Sequence, residues 1–277
     1  MTSASRPRAA LVHRAVLRPW PVSRPRLRIF LFHHAGGSHH LYRDWGPLFP
    51  ADWEVVLMEA PGRGVSPGRR GCADLGELTD LFAREIQPWT DRPYAFFGHS
   101  MGGLVCHELT RRLRSRGQQG PVWLGLSAWT ADPRWRGANR GSGRHLLDDD
   151  ELRAFLRRVG GTPQEILQSR TLWRLFSTAI RHDLQLMDTC DPDVYTPVDD
   201  LPHSVFGGTQ DTLLPADALM AWALGRPRLT GLHLYAGDHF YLRPHRQKVV
   251  RQITAHVLAA LPKGVDSSRS VGGGAAR

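Results

Sequence analysis

Ser100 lies in Gly98-His-Ser-Met-Gly102, directly after Phe96-Phe97. A serine hydroxyl is a weak nucleophile until a base takes its proton and a third group orients that base. The pattern G-x-S-x-G decides little alone: a chain with 28 glycines in 277 residues meets it about once in seven shufflings. Its setting says more. An apolar run precedes the serine, and Met101, Leu104, Val105, Cys106, Leu109 and Leu113 follow it at helical spacing. A serine between strand and helix sits in a strained turn, the nucleophile elbow, with glycines on both sides allowing close chain approach. The helix N-terminus then offers the Met101 N–H where an oxyanion would form.

A base must come from among 14 histidines, so position decides. His239, in Tyr235-Ala-Gly-Asp-His-Phe-Tyr-Leu242, follows a strand-like run and precedes the last helical stretch. It gives the order serine, acid, histidine of α/β-hydrolases. His99 adjoins the serine but is expected to point away from the pocket and bond locally. His33 and His34 fall in the loop after the first strand. The remaining histidines in helical or strand settings read as structural. Two carboxylates fit the orienting role: Asp211 in Phe206-Gly-Gly-Thr-Gln-Asp211, and Asp132 in Leu126-Ser-Ala-Trp-Thr-Ala-Asp132. Both lie past strand-like runs, and the residues alone do not choose between them. Asp238 reads as a turn former. Leu31-Phe-His-His-Ala-Gly-Gly-Ser38 exposes backbone N–H groups after the first strand, as an oxyanion loop does.

The positioning elements are legible as alternation. Strands are expected at 27–32, 53–59, 94–98, 122–127, 203–207 and 232–237, with helices near 74–88, after Ser100, and at 244–260. This predicts an α/β fold, a mostly parallel sheet flanked by helices. Residues 140–195 break the rhythm: Gly137–Gly143 is a flexible lead-in, then two amphipathic helical stretches follow with no strand between them. That reads as a helical lid insertion over the strand ends, where ligands of open α/β sheets bind. The expected organisation is a basic extension over 1–26, one domain over 27–262 and a Ser/Gly-rich tail over 263–277.

Net charge is +10, but residues 1–28 hold seven Arg and no acid, leaving little excess on the remainder. No basic stripe interleaves with aromatics, so nucleic acid is not an expected partner. The Arg-rich start has a presequence flavour, yet Arg18-Pro-Trp-Pro21 interrupts any amphipathic helix there. No apolar run is long enough to span a bilayer. Cys72, Cys106 and Cys190 form neither a disulfide framework nor a metal site, which fits a reducing cytoplasm. The Arg-for-Lys skew points to GC-rich coding and a bacterial source.

Taken jointly, Phe32-His-His-Ala-Gly-Gly-Ser38, Tyr42 with Trp45, Ala60-Pro-Gly-Arg-Gly64, Phe96-Phe-Gly-His-Ser-Met-Gly-Gly103, Cys106-His-Glu-Leu109, Val159-Gly-Gly-Thr-Pro163, Arg181-His-Asp-Leu184, Gly207-Gly-Thr-Gln-Asp211 and Gly237-Asp-His-Phe-Tyr-Leu242 resemble one family. It is the stand-alone (type II) thioesterases serving polyketide synthases and non-ribosomal peptide synthetases, and the likeness covers about residues 27–260. The resemblance implies an α/β-hydrolase fold with a mobile helical lid. It implies Ser100 as nucleophile, His239 as base, Asp211 rather than Asp132 as acid, and the Ala35 and Met101 N–H groups as oxyanion hole. The implied reaction is hydrolysis of acyl groups from the phosphopantetheine arm of acyl or peptidyl carrier proteins, editing the assembly line in antibiotic biosynthesis. No metal or cofactor of its own is implied, since the substrate carries the phosphopantetheine. The chain departs from the family at Gly64, where Glu is usual, at His33, where Pro is frequent, and in Met187-Asp-Thr-Cys-Asp-Pro192. The rival readings are a hydrolase or acyltransferase on free esters or acyl-CoA, and a catalytically silent interaction module.

Overall fold

The structure, a computed structural model, describes residues 15–64, 70–132, 142–191, 196 and 198–261. Seven strands form one sheet in the order β1-β3-β2-β4-β5-β6-β7: β1 (Val16–Trp20), β2 (Leu27–Phe32), β3 (Trp53–Met58), β4 (Tyr94–His99), β5 (Trp123–Ser127), β6 (His203–Gly208) and β7 (Leu229–Tyr235). All pairings are parallel except β1 with β3. β2 to β6 are buried at every position. Their continuous apolar runs suit a sheet covered on both faces.

Helices α1 (Leu75–Ile86), α2 (Met101–Ser115) and α6 (Ala216–Ala223) cover one face, and α7 (Arg246–Ala260) covers the other. Asp74 accepts from the Glu77 N–H at 2.7 Å and caps α1, satisfying a donor that the helix cannot. Between β5 and β6 the chain forms α3 (Asp149–Val159), α4 (Gln164–Gln168) and α5 (Arg170–Asp188). The acidic start of α3 is a capping box, Asp148 with Glu151. Leu152, Phe155, Trp173, Ile180 and Leu184 form a separate small core there with Phe240, so this stretch packs as its own layer above the sheet. Part of the expected lead-in at 137–143, residues 1–14 of the N-terminal extension and all of the tail over 263–277 lie outside the described residues.

The expectation that 1–26 is an extension is corrected: Val16–Trp20 is an antiparallel edge strand of the domain. Pro19 has no N–H to give, and the register shifts between Leu17 and Trp20, as an edge strand tolerates. The fully buried Glu54 holds this edge. It accepts from Arg18 Nε at 2.7 Å and from Arg28 Nε at 2.7 Å, so a buried carboxylate is compensated twice.

Candidate active site

Ser100 joins β4 to α2 with φ +56° and ψ −117°. A positive φ on a residue with a Cβ is strained and persists only where the surroundings enforce it. The enforcing contacts are visible. Ser100 N–H donates to Ser127 O at 2.7 Å, tying the elbow to β5. A Cβ on Gly98 would lie 2.0 Å from Gly102 O, and one on Gly102 would lie 2.2 Å from Phe32 O. The turn closes only because both positions lack that carbon. Met101 opens α2, so its N–H is among the first-turn donors without an intrahelical acceptor.

His239 follows β7 and is buried, and its Nδ1 contacts Asp211 Oδ2 at 2.7 Å. Asp211 follows β6. Its other oxygen accepts from Leu213 N–H at 2.8 Å and Leu214 N–H at 3.2 Å, which fixes the carboxylate. Of the two candidate acids, Asp211 is the one that meets His239. Asp132 is buried past β5, where its N–H donates to Thr130 Oγ1 at 3.1 Å. Ser100, Ala35 and His239 line one pocket. Among the described residues, no backbone acceptor takes the Ala35 N–H.

A family model for the thioesterase domain matches residues 27–257. The chain belongs to that family. Over 228 residues the thioesterase is 31% identical to the gramicidin S biosynthesis protein GrsT of Aneurinibacillus migulanus, spanning 82% of this chain and 88% of that protein. Its fold matches the type II thioesterase BorB from the borrelidin biosynthetic cluster, with TM-score 0.75, 28% identity and coverage of 88% of this chain and 98% of that one. It also matches RedJ, the thioesterase from the prodiginine pathway of Streptomyces coelicolor, with TM-score 0.73, 28% identity and coverage of 84% and 91%. The fold is an α/β-hydrolase, and the protein is a serine hydrolase acting on thioesters, of the type II kind of polyketide and non-ribosomal peptide antibiotic biosynthesis. No helix among the described residues is long and apolar enough to cross a membrane.

The other histidines of the thioesterase divide as the sequence suggests. His99 Nδ1 meets Ser127 Oγ at 2.8 Å, and that hydroxyl contacts Tyr241 Oη at 2.6 Å. His182, His203 and His245 bond backbone carbonyls, while His233 and His256 pair with each other. Asp238 accepts from the Phe240 N–H at 2.8 Å, a turn contact. Burial first, then the neighbouring His239, keeps the His99 imidazole well below its ordinary pKa. His34 is held low by burial and by His33. His239 therefore sits among neutral rings, its ring centroid 5.0 Å from that of His99.

The sequence reading missed how the loop after β2 is held. His34 lines the pocket, edge-on to Phe240 at 4.7 Å. Arg63 and Asp183, 120 residues apart, form a buried two-point ion pair against that loop. Their segments were visible as family motifs, but no local signal joins them.

Proposed function

We propose that this thioesterase hydrolyses acyl groups from the phosphopantetheine arm of carrier proteins, with Ser100 as nucleophile, His239 as base and Asp211 as orienting acid. The supporting observation is the 2.7 Å contact of His239 Nδ1 with Asp211 Oδ2 in a pocket shared with the strained Ser100. Asp211 holds the proton on Nδ1, leaving Nε2 to accept the Ser100 proton. The Ser100 oxygen attacks the thioester carbonyl, and the Ala35 and Met101 N–H groups stabilise the oxyanion. The carbon–sulfur bond breaks and the arm leaves as a thiol. A water deprotonated by His239 then attacks the acyl-serine, and the acid departs with the serine reprotonated. A thiolate is a good leaving group, so the reaction needs less acid assistance than amide cleavage. No metal or cofactor of the enzyme takes part.

Phe155, Leu156 and Val159 of α3 and Leu184 and Met187 of α5 line the pocket above the serine. Its volume is about 60 Å³, and these apolar side chains suit the first carbons of an acyl chain. A wider groove of about 590 Å³ adjoins it between α3 and Thr212–Leu213, sharing Arg144 and Phe155 with the pocket. We assign this groove as the approach for the arm.

The test compares one acyl group on a carrier protein and on a free pantetheine thiol, each from about 0.05 to 0.5 M salt. Carriers of these assembly lines are acidic near the modified serine, and charge speeds encounter more than chemistry. The expected result is higher kcat/KM on the carrier, falling with salt, with little change for the free thiol. Equal efficiency and equal salt response would favour free thioesters, including acyl-CoA, as the substrate.

A further inference from the structure

The loop that carries the Ala35 N–H is gripped from two sides. From the core side, His33 is buried and its Nε2 accepts from the Ala60 N–H at 3.2 Å. An imidazole nitrogen that accepts carries no proton, so the neutral ring bears its hydrogen on Nδ1. Nδ1 lies 2.7 Å from His34 O and donates to it. That carbonyl belongs to the peptide whose N–H is Ala35, and a trans peptide directs the two groups oppositely. Anchoring the carbonyl therefore aims the N–H. The Gly37 N–H adds a second bond to the same oxygen at 3.0 Å.

From the lid side, Asp183 of α5 is fully buried and its Oδ2 accepts from the Gly36 N–H at 2.7 Å. Arg63 Nη2 donates to Asp183 Oδ1 at 2.6 Å, and Nη1 reaches both Asp183 Oδ2 and Gly37 O, the latter at 3.0 Å. Gly36 has φ +71°, and a Cβ there would lie 2.6 Å from Ile180 Cγ1 of α5. The loop thus lies directly against the lid helix. Leu184 and Met187, one and four residues past Asp183, line the acyl pocket. One stretch of α5 therefore lines the acyl pocket and holds the oxyanion loop.

We propose that His33 and Asp183 are positioning residues for the oxyanion hole, and that Asp183 makes the hole complete only while the lid helix is seated. This rests on the catalytic reading above. If α5 lifts, the acceptor of the Gly36 N–H and the partner of Arg63 leave with it, and the peptide beside Ala35 loses its outer support. Binding of the acyl group under α5 and activation of its carbonyl are then one event.

The test uses Asp183→Asn, which keeps an oxygen for the Gly36 N–H but breaks the charge pair, and His33→Phe, which keeps a ring but makes neither bond. Both are titrated for active Ser100 and compared with wild type on an acyl-pantetheine thioester. A misplaced oxyanion donor costs about tenfold or more in kcat, with KM moving little. The affinity for methylboronic acid, whose serine adduct places an oxygen in the oxyanion site, should fall by a similar factor. In wild type that adduct, too small to fill the acyl pocket, should slow hydrogen exchange along α5, because coupling is reciprocal. Asp183→Asn, which loses the Arg63 half of the link, should weaken this protection. His33→Gln, which can both donate and accept, should recover part of the kcat that His33→Phe loses.

Unchanged kcat per titrated site in both variants, or a raised KM with intact kcat, would overturn the positioning roles. Protection of α5 undiminished in Asp183→Asn would overturn the lid coupling. Should Asp183→Asn fail to fold, the two His33 variants still decide the inner half, and α5 protection in wild type decides the outer. Boronate binding that persists in Ser100→Ala would instead strike the catalytic assignment itself.

Discussion

Replacing Asp211 by asparagine alters one atom of the proposed triad and leaves its loop almost intact. Asp211 Oδ1 accepts from the Leu213 and Leu214 N–H groups at 2.8 and 3.2 Å, and Oδ2 faces His239 Nδ1 at 2.7 Å. In Asp211→Asn the amide oxygen must stay with the two N–H donors, so the NH₂ group faces His239. Nδ1 must then accept, which moves the imidazole hydrogen to Nε2. A protonated Nε2 cannot take the Ser100 proton, and the imidazolium loses its counter-charge. Where this tautomer inversion has been imposed on serine hydrolases, the cost is about four decades in kcat; at about 1.4 kcal/mol per decade this is roughly 5.5 kcal/mol of barrier. Fold stability should fall by no more than the strength of one charge-assisted bond, about 1.5–3 kcal/mol. Thiol release from an acyl-pantetheine gives kcat, and thermal melting gives stability. Asp132→Asn, in the loop past β5 where the Asp132 N–H donates to Thr130 Oγ1, leaves the Asp211–His239 contact in place and should lose less than about tenfold. A kcat for Asp211→Asn within tenfold of wild type, or a larger loss in Asp132→Asn, would refute the reasoning.

Gly102→Ala puts a methyl 2.2 Å from Phe32 O and 2.8 Å from His33 O. Backbone cannot yield as a side chain can, so α2 must shift, costing about 1–3 kcal/mol of stability and displacing the Met101 N–H; an unchanged Tm with unchanged kcat would contradict this. Acid sensitivity is also expected. Burial, helped by the Arg63 charge, lowers His33 to about 4 from an ordinary 6.5, so the unfolded chain binds the extra proton between those values. The stabilisation is complete above about 6.5 and declines as pH falls towards 4, by roughly 3 kcal/mol at pH 4 for this residue. Tm measured from pH 7 to 4 should therefore drop more steeply in wild type than in His33→Phe; parallel curves would remove His33 as a cause.

Six of the seven strands and the principal helices are readable in the sequence because each is a buried apolar run, or a helical period, ended by local turn chemistry. Ser100, His239 and Asp211, the proposed triad, stand out in the sequence for a related reason: each sits at a strand end whose loop has its own signature. β1 is not, since Val16–Trp20 contains Arg and Pro and its strand character comes from pairing with β3 and from Glu54 meeting Arg18 and Arg28. The choice of Asp211 over Asp132 needed family resemblance, because both lie past strands of one sheet. The hold of Arg63 and Asp183 on the loop bearing Ala35 was hidden for the same physical reason. It joins residues from a loop after β3 and a helix between β5 and β6, and only the fold brings them together.

The central claim is that Ser100 carries the acyl group during turnover, and intact-mass analysis of rapidly quenched enzyme tests it most directly. With an acyl-pantetheine substrate, wild type should gain the mass of one acyl group, recovered on the peptide containing Ser100. Ser100→Ala should show no adduct, with kcat lower by roughly four to six decades and the fold retained. An adduct that persists in Ser100→Ala, or that maps to another residue, would contradict the account.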